Sequence, residues 1–107
     1  MRLKERIDRP ALMTATEDLN AALRAKGDKF IFFHPGRDED FEFTFQLEAK
    51  YPSSAVFCFD RLECDEEIHD WLSKNGYDFR GPFVLRFQGE QFLMSFTCSV
   101  LSLLLQD

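Results

Sequence analysis

The chain has 107 residues, a formal net charge of −6, a pI near 4.9 and 13 phenylalanines. That length suits one domain, able to bury roughly 65% of its unfolded surface and to fold on packing alone. The acidity argues against a phosphate-backbone ligand, which needs a concentrated Lys/Arg face, and suits a partner with a basic surface.

Residues 1–13 mix charges with few apolar positions, and Pro10 breaks any early helix. They are expected to form a flexible arm, with residues 14–107 as the domain. Thr14 and Glu17 stand at capping-box spacing, Leu19, Ala22 and Leu23 share a helical face, and Gly27 offers a stop, which predicts a first helix over about 15–26. Lys29–Phe33 reads as a strand covered on both faces, broken by His34-Pro35-Gly36. Residues 41–47 are ambiguous. Phe41, Phe43, Phe45 and Leu47 alternate with polar residues as a half-buried strand would, and as a helix they form pairs four apart.

Ala55–Phe59 is a second buried-type strand ending at Asp60. A helix over 65–75 follows, with Ile68, Trp71 and Leu72 on the stripe of Cys64, acids in its first turn, and Asn75-Gly76 at its end. Beyond Gly81-Pro82, residues 83–88 and 91–96 flank a Gly89-Glu90 turn and read as a hairpin. Val100–Leu105 closes the chain as a short apolar helix, far too short to span a bilayer. Cys58, Cys64 and Cys98 are odd in number, without Cys-x-x-Cys or zinc spacing. Together with the lack of an apolar leader, they predict a reduced, cytoplasmic setting and no cofactor or metal.

The segments SSAVFCFD and DEEIHDWLSKNGYDFRGPFVLRFQGEQFLMSF resemble the thioredoxin fold in order: a strand ending in Asp, a helix, a Gly-Pro step, a hairpin with a Gly turn, and a terminal helix. The resemblance covers about residues 29–105 and implies an α/β fold, a single thioredoxin-like domain with a central mixed sheet flanked by helices. It makes residues 39–50 a helix despite their alternation, puts Asp38 and Phe41 near the slots of the family's two cysteines, and implies a cis proline at Pro82. No strand is predicted before residue 14, and Gly81-Pro82 lacks the residue that sits between in the family. An α+β meander with two or three helices is the competing topology.

An acidic residue and a phenylalanine can form neither a thiolate nor a disulfide, so the resemblance points to a redox-inactive scaffold rather than an enzyme. The expected activity is stoichiometric protein binding through His34, Asp38, Glu39, Asp40 and Glu42, with Gly81 and Pro82 offering a backbone edge to an extended peptide. An inhibitor, immunity protein or phage anti-defence protein is a subclass of that reading. Monomer and homodimer both accommodate so many phenylalanines. One alternative is a thiol redox enzyme or sensor using Cys64 or Cys58, although Glu63, Asp65, Glu66 and Glu67 would raise the pKa of Cys64. Another is a Ca/Mg-dependent module at the 38–42 acidic run, which lacks the mid-loop Gly and terminal Glu of an EF-hand. His69 points off the apolar stripe and reads as a surface residue.

Overall fold

The computed structural model describes residues 11–97. Strand β1 (Asp28–His34) lies at the centre of a four-stranded sheet, parallel to β2 (Ala55–Asp60) and antiparallel to β3 (Phe83–Gln88), which pairs antiparallel with β4 (Gln91–Thr97). From Lys29 to His34 every residue of β1 is buried, as a strand covered on both faces requires. Alternation then divides the phenylalanines between two layers.

On one face Phe33 stacks between Phe59 of β2 and Phe83 of β3, at centroid separations of 5.3 and 5.1 Å. Helices α1 (Thr16–Arg24) and α3 (Glu66–Lys74) cover this layer with Leu19, Ala22, Ile68 and Leu72. On the other face Phe30, Phe32 and Val84 pack with Leu47 of α2 (Asp38–Lys50). The mixed sheet between helices settles the topology in favour of the α/β arrangement over the meander.

Residues 41–47 belong to α2, so their strand-like alternation is overridden. The helix buries Asp40, Phe41, Thr44 and Leu47, a stripe at spacings of three and four, and leaves Phe43 and Phe45 half-buried. Packing against the β1–β2 pair outweighs the local preference of the aromatic residues.

Two helix ends are built differently from their sequence signals. Thr14 makes no capping box; the N-cap is Ala15, and Asp65, at the start of α3, accepts hydrogen bonds from the Thr16 N–H at 2.8 Å and its hydroxyl at 3.1 Å. The Asp65 N–H in turn donates to the Thr14 carbonyl at 2.8 Å, tying the two helix starts together. At the far end of α1, the buried Lys29 ammonium donates to the carbonyls of Ala22, Leu23 and Ala25 at 2.6, 2.7 and 2.7 Å. Those acceptors use all three of its protons on carbonyls at the helix end, of which Ala22 also accepts the Ala25 N–H at 3.2 Å.

Met13, the last residue of the segment read as an arm, bridges in parallel to Phe59. Its N–H donates to the Cys58 carbonyl and its carbonyl accepts from the Asp60 N–H, both at 2.9 Å. The strand missing from the sequence reading is thus present at one residue. The expected helix over Val100–Leu105, and Cys98, lie outside the described residues.

Candidate functional site at the start of the second helix

The chain leaves β1 through Pro35 and Gly36, and Gly36 takes a left-handed φ of +85° before Arg37 caps α2. Asp40 closes that turn. Its Oδ2 accepts the Arg37 backbone N–H and Nε, both at 3.0 Å, and its Oδ1 accepts Nη2 at 2.9 Å. The carboxylate thus takes both arms of the guanidinium fork and a free helix N–H, and Asp40 is only 3% exposed.

Asp38, Glu39 and Glu42 lie on the opposite, exposed side of the helix, where spacings of three and four bring them onto one face. The acidic run therefore splits into three outward carboxylates and one inward cap, because a helix turns residues 38 and 40 to different sides. Among the described residues, no three His, Cys, Asp or Glu side chains gather as a metal-ligand set.

His34 is fully buried. Its Nδ1 accepts the Gly36 N–H at 3.0 Å and lies 3.7 Å from Asp40 Oδ2, while the buried Nε2 has no hydrogen-bond partner among the described residues. Phe32 and Phe41 flank the ring at centroid separations of 4.4 and 5.3 Å. Burial pulls its pKa below the ordinary imidazole value; Asp40 and Asp60 oppose that effect and Arg37 adds to it. This is not a side chain a partner can touch without rearrangement.

The Gly81–Pro82 edge also differs from expectation. No cis peptide occurs among the described residues, so this bond is trans, and Pro82 is buried while Gly81 is exposed at a φ of +68°. The loop leading to it is held by Arg61, whose Nη2 donates to the Phe79 carbonyl at 2.7 Å. Of the seven predicted contact residues, Asp38, Glu39, Glu42 and Gly81 face solvent, while His34, Asp40 and Pro82 are buried.

Cys58 and Cys64 are free thiols and both are buried. Burial is the main cause that pushes the Cys58 thiol up to about 11, with Thr44 opposing through its hydroxyl contact. Cys64 Sγ lies 3.5 Å from His69 Nε2, a pairing the sequence reading missed. A separation of five residues across a helix start carries no periodic signal; the chain's turn into α3 closes the gap. Burial again pushes the Cys64 thiol up, reinforced by Asp60 and Asp65 against its own backbone hydrogen bond and Arg61. On the α1–α3 face, away from the acidic edge, a groove of about 320 Å3 is lined by Asn20, Glu67, Asp70 and Trp71, among others.

No protein-family model matches the chain, and no curated protein matches its sequence. Solved structures do match its shape. A designed protein superposes with a TM-score of 0.71 at 16% identity, covering 91% of both chains. Thioredoxin O2 from Arabidopsis thaliana gives 0.68 at 16% identity over 88% of this chain and 86% of its own. A thioredoxin from Trypanosoma brucei brucei gives 0.66 at 12% identity over 97% and 91%. The fold is thioredoxin-like, a single small α/β domain. At such identities the likeness is one of fold.

No helix among the described residues is long and apolar enough to cross a membrane.

Proposed function

We propose that this chain is a redox-inactive, thioredoxin-like binding module that engages a basic protein surface stoichiometrically through Asp38, Glu39 and Glu42. The observation that carries the reading is the exposed carboxylate face at the start of α2, held rigid from beneath by the Arg37–Asp40 fork. Preorganised charge favours fast, salt-sensitive encounter with a cationic cleft. Gly81 extends the contact surface, and His34, Asp40 and Pro82 act as its supports. Inhibition of an enzyme, immunity to a toxin or antagonism of a defence protein is the form of stoichiometric binding we propose for this acidic face.

The test is capture by the tagged protein under reducing conditions, followed by elution with rising salt and charge reversal of Glu39 and Glu42. A stoichiometric partner released by salt and lost on E39K/E42K supports the reading; a partner retained by the double variant overturns it.

The Cys64–His69 contact favours a second reading, a thiol sensor. Under it Cys64→Ser abolishes function and a covalent adduct forms when reductant is omitted; under the first reading Cys64→Ser leaves binding intact.

A further inference from the structure

We propose that His34 is an acid-operated latch beneath the acidic edge: as a neutral imidazole it holds the 34–37 turn shut, and on protonation it releases that turn and the start of α2. The inference rests on the binding reading above only for its consequence, acid-triggered loss of the partner.

The geometry fixes the tautomer. A backbone N–H can only donate, so the 3.0 Å contact from Gly36 makes Nδ1 an acceptor and leaves the imidazole proton on Nε2. A second proton must therefore enter at Nδ1, where it would point at the Gly36 N–H. One hydrogen bond becomes a repulsive pair of donors. The acceptor available to the new N–H is Asp40 Oδ2 at 3.7 Å, an oxygen already taken by the Arg37 N–H and Nε. To reach it the ring must turn away from Gly36 and compete with Arg37, so the turn and the cap loosen together.

Among the described residues, the charges around His34 are few. On the α2 side these are Arg37 and Asp40; on β2 there is Asp60, its register partner. The Arg61 N–H donates to the His34 carbonyl at 2.9 Å, but its guanidinium turns to the Phe79 carbonyl and the Phe83 ring. Burial between Phe32 and Phe41 disfavours the imidazolium, which lowers its pKa and keeps the latch closed near neutrality. The turn is closely packed where it would have to move: a Cβ on Gly36 would meet Leu12 Cδ1 at 3.2 Å and Phe41 Cε2 at 3.9 Å.

The experiment is an NMR titration of the free full-length protein from pH 8 to pH 4, reading the His34 imidazole nitrogens, the Gly36 amide and its exchange rate. The single tryptophan, Trp71 on α3, reports global unfolding by fluorescence. The expected result is an Nε2-protonated ring at neutral pH with a titration midpoint below about 6.5. Gly36 amide opening, corrected for intrinsic exchange, rises as pH falls from about 6.5 towards that midpoint and levels off beneath it, before Trp71 changes. The rise is about tenfold per pH unit by which the midpoint lies below the ordinary value. His34→Asn, whose side-chain oxygen can accept from Gly36 without titrating, removes the transition; if that variant fails to fold, the wild-type titration decides alone. A neutral ring protonated on Nδ1, a midpoint at or above the ordinary value, or a Gly36 transition that persists in His34→Asn overturns the latch. Because the free protein is observed, failure of the latch is distinct from failure to find a partner.

Discussion

The two ends of β1 each bury an ionisable side chain completely, and they do so in opposite ways. Lys29 enters the sheet with three carbonyl acceptors waiting at the end of α1, and its Nζ also lies 5.8 Å from the centre of the Phe87 ring. His34 leaves the sheet with one hydrogen bond and one unpartnered nitrogen. Burial lowers the pKa of both, against Glu90 in one case and two aspartates in the other. Burial alone does not make a site. A fully satisfied charge is a staple, and a half-satisfied one has a second arrangement within reach.

The sharpest way to break the staple is Lys29→Met, which keeps the apolar stem and removes the ammonium from three helix-end carbonyls, only Ala22 of which keeps a backbone donor among the described residues, the Ala25 N–H. A loss of about 3 kcal/mol or more is expected, read as a fall in Tm of roughly 12 to 20 °C by circular dichroism. An unchanged Tm would mean that water satisfies those carbonyls as well as the ammonium does. Asp40→Asn at the other end should cost less, about 1 to 2 kcal/mol in urea unfolding, because the cap survives in part and only the ionic fork is lost. If the variant lost as much as Lys29→Met, the two ends would be equally rigid and the contrast would fail.

Stability against pH separates them further. Because the folded pKa of His34 lies below its ordinary value, the unfolded chain takes the proton first as pH falls. The His34 contribution is therefore complete above about pH 6.5, declines by up to about 1.4 kcal/mol per pH unit below it, and levels off beneath the folded midpoint. Chemical denaturation at stepped pH, compared between wild type and His34→Asn, isolates that component; superimposable curves would show that His34 is indifferent to charge. The smallest effect belongs to Glu39→Lys with Glu42→Lys. These exposed residues in the first turns should cost under about 1 kcal/mol of stability, through the helix dipole, while changing the salt dependence of binding.

Much of the fold was legible. The buried run at 29–33, the strand at 55–59, the α3 stripe and the Gly89 hairpin all appear where patterning puts them, although in β2 only Cys58 and Phe59 are buried. Residues 41–47 were not settled by pattern, since alternating phenylalanines satisfy a strand locally and a helix only when a sheet is present to take Phe41, Thr44 and Leu47. The candidate site was legible by composition and not by direction. Four acidic residues between 38 and 42 are visible in the chain, yet Asp40 turns inward only because Arg37 and the end of β1 meet it there.

From the sequence alone follow the acidity, the single domain, the absence of a Cys-x-x-Cys pair and the order of most elements, because these depend on composition and on contacts near in the chain. The tertiary structure decided what depends on residues far apart in sequence. It set Asp65 as the cap of α1 across 49 positions, brought the end of the arm beside Phe59, and turned Cys64 onto His69. It also made Lys29 a helix clamp and His34 a buried imidazole with one nitrogen unpartnered. Hydrogen-bond satisfaction in a closed interior is a property of the whole packing, and no local pattern carries it.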